Sequence, residues 1–138
     1  MDRYVFPAVF DPCEEGGYTV TFPDLPSCIT EGDTEEEAFQ MAKEALELHL
    51  YGMERDGDEI PKPSKVADLA LEKGQFATLI EVWMPPVRDE QANRAVKKTL
   101  TIPKWLNDLA EQKHVNFSHV LQTALKGYLG VGKKVRGP

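Results

Sequence analysis

Hydrophobic and polar residues alternate with a period of two in the N-terminal part of the chain, which predicts β-strands. Residues 4–10 are rich in aromatic and β-branched side chains, and in residues 18–22 every second side chain is large and hydrophobic. The glycine-containing segment 11–17 predicts a loop between these strands. Residues 28–31 predict a short third strand. Pro7 lacks an N–H group and therefore predicts an edge position or a bulge.

Hydrophobic residues then recur at steps of three and four, which predicts a helix. Thr34 is a suitable N-cap, and Glu37 three residues later completes a capping box. Gly57 predicts the end of the helix. The hydrophobic stripe that we expect to cover the sheet consists of Ala38, Phe39, Ala42, Ala45, Leu46, His49, Leu50 and Met53.

Strand-forming residues return at 76–83, after a segment at 64–72 that predicts one helical turn or a loop. The order of elements is therefore βββαβ, in an α+β domain that covers residues 1–84. Two consecutive prolines and a polar run then predict a linker over residues 85–95.

Residues 96–102 alternate once more and predict a strand, and Pro103 can begin a helix. Two hydrophobic stripes at helical spacing follow, separated by a break at 114–115. Asn116 is the expected N-cap of the second helix, and Gly130 its expected end. The first stripe consists of Trp105, Leu106, Leu109 and Ala110, and the second of Phe117, Val120, Leu121, Ala124, Leu125 and Leu129.

A strand–helix–helix (β-α-α) module of this size, residues 96–130, has too little hydrophobic surface to fold alone. Two copies could pair their strands antiparallel and pack four helices beneath them, so we expect a homodimer. Residues 131–138 predict a basic, disordered tail.

The composition narrows the choice of protein class. The chain has 138 residues, of which 41% are hydrophobic. No window approaches the roughly 18 apolar residues of a membrane span, and no signal-peptide core is present, so we expect a cytoplasmic protein. Cys13 and Cys28 are the only cysteines, too few for a disulfide framework or a four-ligand zinc site. We expect no metal and no cofactor.

Charge divides the chain into two parts. Residues 1–90 contain 21 acidic and 7 basic side chains, a net charge of −14, whereas residues 91–138 contain 2 acidic and 9 basic side chains, a net charge of +7. This asymmetry favours two partners of opposite charge. A basic segment suits phosphates, and a strongly acidic domain suits a basic protein.

The string Lys-Lys-Thr-Leu-Thr-Ile-Pro at 97–103, followed by two short helices with a break at 114–116, resembles the ribbon-helix-helix repressors. In that family a two-stranded ribbon enters the major groove, and the second helix docks its N-terminus on a phosphate. By this resemblance, the residues that contact base edges are Lys97, Thr99 and Thr101. The residues that contact phosphates through backbone or side-chain donors are Lys98, Asn116, Phe117, Ser118 and His119.

Two further segments carry a second resemblance: Gly-Tyr-Thr-Val-Thr-Phe-Pro-Asp-Leu-Pro at 17–26 and Gly-Asp-Thr-Glu-Glu-Glu-Ala at 32–38. They resemble the HicB antitoxin family across residues 3–85, with Ser27 in place of the family's usual glycine. The resemblance implies a partial RNase H-like βββαβ domain that holds a small, basic, HicA-like toxin ribonuclease. It also implies that the C-terminal ribbon-helix-helix domain represses the shared operon by binding a palindromic operator in double-stranded DNA.

Such an antitoxin hinders the catalytic site of the toxin without chemistry of its own, so no catalytic residue and no enzyme activity are expected. We expect the toxin to contact the hairpin and the acidic helix. The expected contact residues are Tyr18, Phe22, Asp24, Leu25, Glu31, Asp33 and Glu36. Dimers of this kind can pair further through their N-terminal domains, so a dimer and a tetramer are both open.

Two alternatives remain open from the sequence. The chain could be a stand-alone ribbon-helix-helix repressor whose N-terminal domain senses a ligand. It could also be an RNase H-like hydrolase with carboxylates around two metal ions. The carboxylates available for that role are Asp11, Asp24, Glu31 and Asp33, at strand ends and turns where such residues are also expected for local hydrogen bonding.

Overall fold

The computed structural model describes residues 1–131, and residues 132–138, which contain most of the predicted basic tail, lie outside the described part. The chain divides into two compact units, which we call unit 1 (Met1–Ala95) and unit 2 (from Val96 onward). Every helix within residues 1–131 is too short or too polar to span a membrane.

Unit 1 is built on a four-stranded antiparallel sheet with the strand order β3-β2-β1-β4. The strands are β1 (Arg3–Pro12), β2 (Tyr18–Phe22), β3 (Leu25–Gly32) and β4 (Phe76–Trp83). The predicted order βββαβ is confirmed. Strand β3 begins at Leu25 rather than Cys28, because the turn after β2 takes only Pro23 and Asp24.

Pro7 lies in a strand that is central in the sheet, but it pairs with β4 only, so it occupies the expected edge position on its other side. The N–H of Met84 donates to the carbonyl of Asp2 at 2.8 Å, so the even-numbered residues of β1 hydrogen-bond to β4. The nitrogen of Pro7 therefore faces the β2 side, where pairing begins only at Val9. Proline is tolerated here because no strand pairs with it on that side.

Helix α1 (Glu35–Asp56) has both of its predicted ends. The Thr34 hydroxyl accepts a hydrogen bond from the Glu37 N–H at 3.0 Å, and the Glu37 carboxylate accepts one from the Asp33 N–H at 2.6 Å. Gly57 ends the helix at φ = 75°, in the left-handed region where glycine carries no steric cost.

The buried stripe of α1 is narrower than predicted. Only Ala38, Ala42, Leu46 and Leu50 are buried, whereas Phe39 keeps 48% of its surface exposed at the edge of the stripe. The sheet contributes nine further core residues: Phe6, Ala8, Phe10, Val20, Phe22, Leu25, Cys28, Ile80 and Val82. Helix α1 thus closes one face of the sheet and leaves Phe39 at its rim.

The linker predicted at 85–95 is wrong for most of its length. Residues Met84–Asn93 form helix α2, which begins with two prolines at positions where a helix needs no N–H donor. Met84 and Val87 are buried against the core. Helix α2 therefore belongs to unit 1.

Arg88 fastens α2 to the rest of unit 1. Its Nε and Nη2 donate to the two carboxylate oxygens of Glu54 at 2.9 and 2.8 Å, and its Nη1 donates to Asp2 at 2.6 Å. The Nη2 also donates to the Met1 carbonyl at 2.6 Å. These hydrogen bonds hold the pKa of Glu54 below its usual range, and burial raises the pKa of Tyr4, whose hydroxyl donates to Glu54 at 3.1 Å. The cluster joins α1, α2 and the N-terminus.

Unit 2 contains helices α3 (Lys104–Gln112) and α4 (Phe117–Leu129). Both predicted ends of α4 are confirmed. The side-chain oxygen of Asn116 accepts the His119 N–H at 3.0 Å, and Gly130 ends the helix at φ = 73°.

The hydrophobic residues of unit 2 have no core within one chain. No residue of Val96–Val131 is buried, and residues 94–103 are neither helix nor strand. The strand expected at 96–102 stays a prediction, because its pairing partner would be a second copy. The large side chains left exposed on the two helices are Trp105, Leu106, Leu109, Phe117, Val120, Leu125, Tyr128 and Leu129.

Candidate protein-binding and nucleic-acid-binding surfaces

The seven residues predicted to contact a toxin separate into two groups at opposite ends of the β2–β3 hairpin. Tyr18 pairs with Gly32 at one end, and Phe22 pairs with Leu25 at the other. The length of β2, residues 18–22, separates these ends by roughly 13 Å. The seven residues therefore do not form one continuous surface.

The first group lies where β3 passes into α1. Tyr18 is half-buried, whereas Glu31, Asp33 and Glu36 are exposed. Tyr18 lies beside the last residue of β3, and Glu36 is in the first turn of α1. This end of unit 1 thus presents an accessible acidic surface beside an aromatic ring.

Two glycines allow the hairpin and the helix to approach each other so closely. A Cβ atom on Gly32 would lie 2.4 Å from the backbone nitrogen of Ala38, and one on Gly17 would lie 2.8 Å from the carbonyl oxygen of Gly32. Both distances are shorter than real Cβ contacts, so any side chain would push the backbones apart. The glycines therefore fix the position of Tyr18 relative to α1.

The second group does not form a contact surface. Phe22 and Leu25 are 1% and 2% exposed and belong to the core, so their prediction as toxin contacts is corrected: their side chains cannot reach a partner in this fold. The carboxylate of Asp24 accepts hydrogen bonds from the Ser64 N–H at 2.9 Å and hydroxyl at 2.6 Å. Asp24 thus ties the loop after α1 to the β2–β3 turn.

A pocket beside the first group was not predicted. Its volume is about 300 Å³, and we call it the aromatic–acidic pocket. The rings of Phe10 and Phe76 stack with centroids 4.9 Å apart, and Tyr18 meets Phe76 edge-on at 5.9 Å. Phe39 follows buried Ala38 and points about 100° away from it around the helix axis. This offset from the centre of the hydrophobic stripe could have been recognised in the sequence. The lining residues are Phe10, Glu35, Glu36, Phe39, Phe76 and Thr78.

The residues predicted to contact base edges are accessible. Lys97, Thr99 and Thr101, together with the predicted phosphate contact Lys98, are all exposed in the segment 94–103. Which of them share a face depends on a strand that a single chain does not form. Their assignment to base edges and phosphates stays a prediction.

The start of α4 has the geometry expected of a phosphate-binding helix end. Asn116 uses its side-chain oxygen to cap the His119 N–H, which leaves its amide nitrogen as a donor. The N–H groups of Phe117 and Ser118 are in the first turn, where a helix offers no acceptors of its own. Such N–H groups and the helix dipole favour an anion.

The turn between α3 and α4 depends on His114 in an unusual conformation. Its φ is 58°, in the left-handed region where non-glycine residues are uncommon. The His114 N–H donates to Glu111 at 3.0 Å and the Val115 N–H donates to Ala110 at 3.0 Å. These two bonds form a Schellman motif, in which glycine is the usual residue at the position of His114.

The carboxylates considered for a hydrolase do not converge. Asp11 and Glu31 both pair with Thr19, from the two sides of β2, so their Cα atoms are roughly 10 Å apart. Asp24 lies at the far end of the hairpin and is held by Ser64. Within the described part of the chain, no three His, Cys, Asp or Glu side chains are grouped as metal ligands are.

Comparison with known proteins identifies relatives over most of the chain. The profile of the family described as "HicB_like antitoxin of bacterial toxin-antitoxin system" matches residues 6–125. Antitoxin HicB 1 of Photorhabdus laumondii is 46% identical over 100 residues, which are 67% of this chain and 64% of that relative. Antitoxin HicB of Escherichia coli K12 is 41% identical over 59 residues, 43% of each chain. The matched segment thus spans less than two thirds of each of these relatives.

The comparison with solved structures agrees with the sequence comparison. A chain of a toxin–antitoxin complex from Streptococcus pneumoniae superimposes with a TM-score of 0.60 at 26% identity, over 91% of this chain and 99% of that one. The family profile extends from β1 into α4 and so includes both units. This chain belongs to the HicB-like antitoxins of bacterial toxin–antitoxin systems.

Proposed function

We propose that this chain neutralises a small, basic, HicA-like toxin ribonuclease through unit 1 and represses its own operon through unit 2. The observation that carries the proposal is the contrast between the units. Residues 1–95 hold 21 acidic and 8 basic side chains around a complete core. Residues 96–138 hold 2 acidic and 8 basic side chains, and the helices among them leave their hydrophobic faces exposed.

Unit 1 would act as a surface and not as a catalyst. Its partial RNase H-like fold would present the exposed carboxylates of Glu31, Asp33 and Glu36 beside Tyr18. Opposite charge steers a basic partner to this surface and speeds the encounter. The chain's likeness to part of a toxin–antitoxin complex supports a toxin partner, and membership of an antitoxin family agrees with the prediction that the chain is not an enzyme.

Unit 2 would act as a ribbon-helix-helix dimer. The exposed stripes of α3 and α4 would form a shared core, and residues 96–102 of two copies would pair as the ribbon. The lysine and threonine side chains on the ribbon would contact bases, and the first turn of α4 would contact a phosphate. Two-fold symmetry of the dimer suits a palindromic operator, and pairing of dimers through unit 1 would give a tetramer.

Co-expression tests the toxin half of the proposal. The tagged full chain is produced together with the small reading frame adjacent to its gene, and the purified material is assayed for a basic partner and for RNase activity. We expect a stable complex without RNase activity that becomes active when the antitoxin is digested or displaced. A chain that binds operator DNA and retains no partner would instead be the stand-alone repressor.

Operator binding tests the other half. The double variant Lys97→Ala/Thr99→Ala should lose specific binding in a footprinting assay while its mass by light scattering remains that of the wild-type oligomer. The matched control is Lys126→Ala/Thr123→Ala, which removes the same side-chain types from the exposed surface of α4. Wild-type binding should also weaken steeply with salt, because several lysines neutralise phosphates. A normal footprint by the Lys97→Ala/Thr99→Ala variant would remove the ribbon from the proposal.

A further inference from the structure

The first turn of α1 carries three carboxylates, and that of Glu37 is engaged in the helix cap. Glu37 accepts the Asp33 N–H at 2.6 Å and so completes the N-terminal cap. Within the part of the chain that the structure describes, Glu35 and Glu36 take part in none of the side-chain ion pairs. Their two negative charges exceed the partial positive charge of about +0.5 at a helix N-terminus. This end of α1 therefore carries a net negative charge that is available to bind a positively charged group.

Glu35 and Glu36 border the aromatic–acidic pocket, whose walls are phenylalanine rings. Phe39 is 48% exposed and Phe76 is 37% exposed. Phe76 is held in place by its stack on Phe10, at an interplanar angle of 7°. The exposed ring surfaces and the two carboxylates favour the same kind of ligand, because both attract a positively charged group.

We infer that the aromatic–acidic pocket receives an arginine or lysine side chain of the basic partner protein. The inference rests on the proposed toxin-binding function and names the contact that unit 1 offers. The aliphatic stem of such a side chain would lie against Phe39 and Phe76, and its charged end would meet the Glu35 and Glu36 carboxylates. The volume of about 300 Å³ is at the lower limit for ligand pockets and suits one long side chain.

Other occupants fit the pocket less well. An anionic group would be repelled by Glu35 and Glu36. A purely apolar side chain would bury part of these carboxylates without replacing the water that solvates them, which is unfavourable. A cation on an aliphatic stem satisfies the rings and the carboxylates together. The excess of acidic residues in unit 1 agrees with a basic partner.

A small-molecule probe tests the pocket without the toxin. N-acetyl-arginine amide is titrated into the isotope-labelled full chain, and backbone amide shifts are followed by NMR. The uncharged analogue N-acetyl-citrulline amide is the control, because it has nearly the same shape. We expect saturable shifts at residues 35–40 and 76–78 with the arginine probe, at least fivefold weaker with citrulline and lost in Phe39→Ala. Equal binding of the two probes, or shifts elsewhere only, overturns the inference.

The affinity of the co-purified partner protein then tests the pocket in the complex. Phe39→Ala should weaken binding at least tenfold, and Glu35→Gln/Glu36→Gln at least fivefold. The matched controls are Leu48→Ala, at a 54% exposed position of the same helix, and Glu44→Gln/Glu59→Gln, which removes two exposed charges outside the pocket. Both controls should stay within twofold of the wild type.

The outcomes separate the inference from the proposed function. If the wild-type complex forms and all variants bind within twofold, the pocket is not the contact and the inference fails, while the antitoxin function stands. If the arginine probe binds the pocket but no partner protein co-purifies, the proposed function fails and the pocket remains a site for basic side chains. Circular dichroism of each variant checks that α1 is intact, and Glu35→Gln/Glu36→Gln changes no buried residue.

Discussion

Units 1 and 2 form their helices by the same local rules but differ in what covers the hydrophobic side chains. In unit 1, α1, α2 and the sheet form a core cluster of 15 buried hydrophobic residues. In unit 2, α4 is capped as well as α1 is, yet no residue of Val96–Val131 is buried. Capping therefore determines where helices begin and end, and burial determines whether they are stable. The stability of unit 1 belongs to one chain, whereas the proposed dimerisation of unit 2 predicts a stability that depends on concentration.

The largest expected effect is the loss of a core side chain from unit 1. Leu46→Ala should lower the free energy of unfolding of unit 1 by about 2–5 kcal/mol, because Leu46 is fully buried and its removal leaves a cavity. The readout is thiol labelling. Burial raises the pKa of Cys28 to about 11, so Cys28 reacts only when unit 1 opens, while exposed Cys13 reacts at once.

The control for this change lies on the same helix. Leu48 is 54% exposed, so Leu48→Ala should alter the free energy by no more than about 0.5 kcal/mol. Labelling of Cys28 should therefore speed up in Leu46→Ala and stay unchanged in Leu48→Ala. Equal rates in the two variants would mean that the core is not where the structure has it.

The next effect tests whether α2 is part of unit 1. Arg88→Ala removes the partner of Glu54, whose side chain is only 22% exposed, and should cost about 1–3 kcal/mol. Arg55→Ala removes an exposed pair with Asp56 and should cost about 0–0.5 kcal/mol. Chemical denaturation measures both. A similar loss of unfolding free energy in the two variants would indicate that α2 is only loosely attached to unit 1, as a linker would be.

The Arg88 cluster also predicts a pH dependence. Because Arg88 lowers the pKa of Glu54 in the folded chain, the carboxylate stabilises the fold fully above its unfolded pKa of about 4.3. That stabilisation is lost as the pH falls through the lowered folded-state pKa. The difference in unfolding free energy between wild type and Arg88→Ala should therefore shrink from pH 6 to pH 3. A difference that is constant with pH would assign the effect of Arg88 to packing alone.

Dilution should separate the two units. Each tenfold dilution should lower the apparent stability of unit 2 by about 1.4 kcal/mol, as for any two-state dimer, and leave unit 1 unchanged. Trp105 fluorescence in a Trp83→Phe background reports unit 2 alone, because the chain has only two tryptophans. A midpoint that does not move with concentration would show that unit 2 is stable as a single chain.

The smallest expected effect is a gain in unit 2. His114→Gly should stabilise unit 2 by about 0.5–1 kcal/mol, because His114 adopts φ = 58°, where glycine is not strained. The opposite change in unit 1, Gly57→Ala at φ = 75°, should destabilise it by about 1 kcal/mol. Thermal melts at a fixed protein concentration compare the two. Destabilisation by His114→Gly would point to a contact of the imidazole that outweighs its backbone strain.

The elements that could be predicted from the sequence are those set by neighbours along the chain. Thr34 with Glu37, Gly57 and Asn116 all cap helices where expected, because capping involves residues three or four apart. Helix α2 was missed because Pro85 and Pro86 look like a break, although proline is well suited to the first turn of a helix.

Most parts of the candidate site depend on tertiary packing and could not be predicted from neighbouring residues in the sequence. Phe22 is an exception, because it shares its strand face with Val20 and is buried with it. Its place in the alternation indicated the core, and its prediction as a toxin contact went against that pattern. The aromatic–acidic pocket joins Phe39 of α1 to Phe76 of β4, and nothing in their spacing along the chain indicates that they meet. Only the fold brings them together.

Pro7 has a consequence for how the protein avoids aggregation. The stretch of β1 before Val9 has no strand beside it on the β2 side, although Pro7 itself is less than 2% exposed. An unpaired strand of this kind can recruit an extended segment from another molecule once it is uncovered. Pro7 turns its missing N–H toward that side, so an incoming strand would lose a ladder bond in the middle of this unpaired stretch. The neighbouring segment 60–63 contains two more prolines and borders a groove with Arg3 and Val5. Replacing the buried Pro7 would therefore be expected to loosen the packing at this position and also to restore a hydrogen-bond donor through which unit 1 could associate by its sheet.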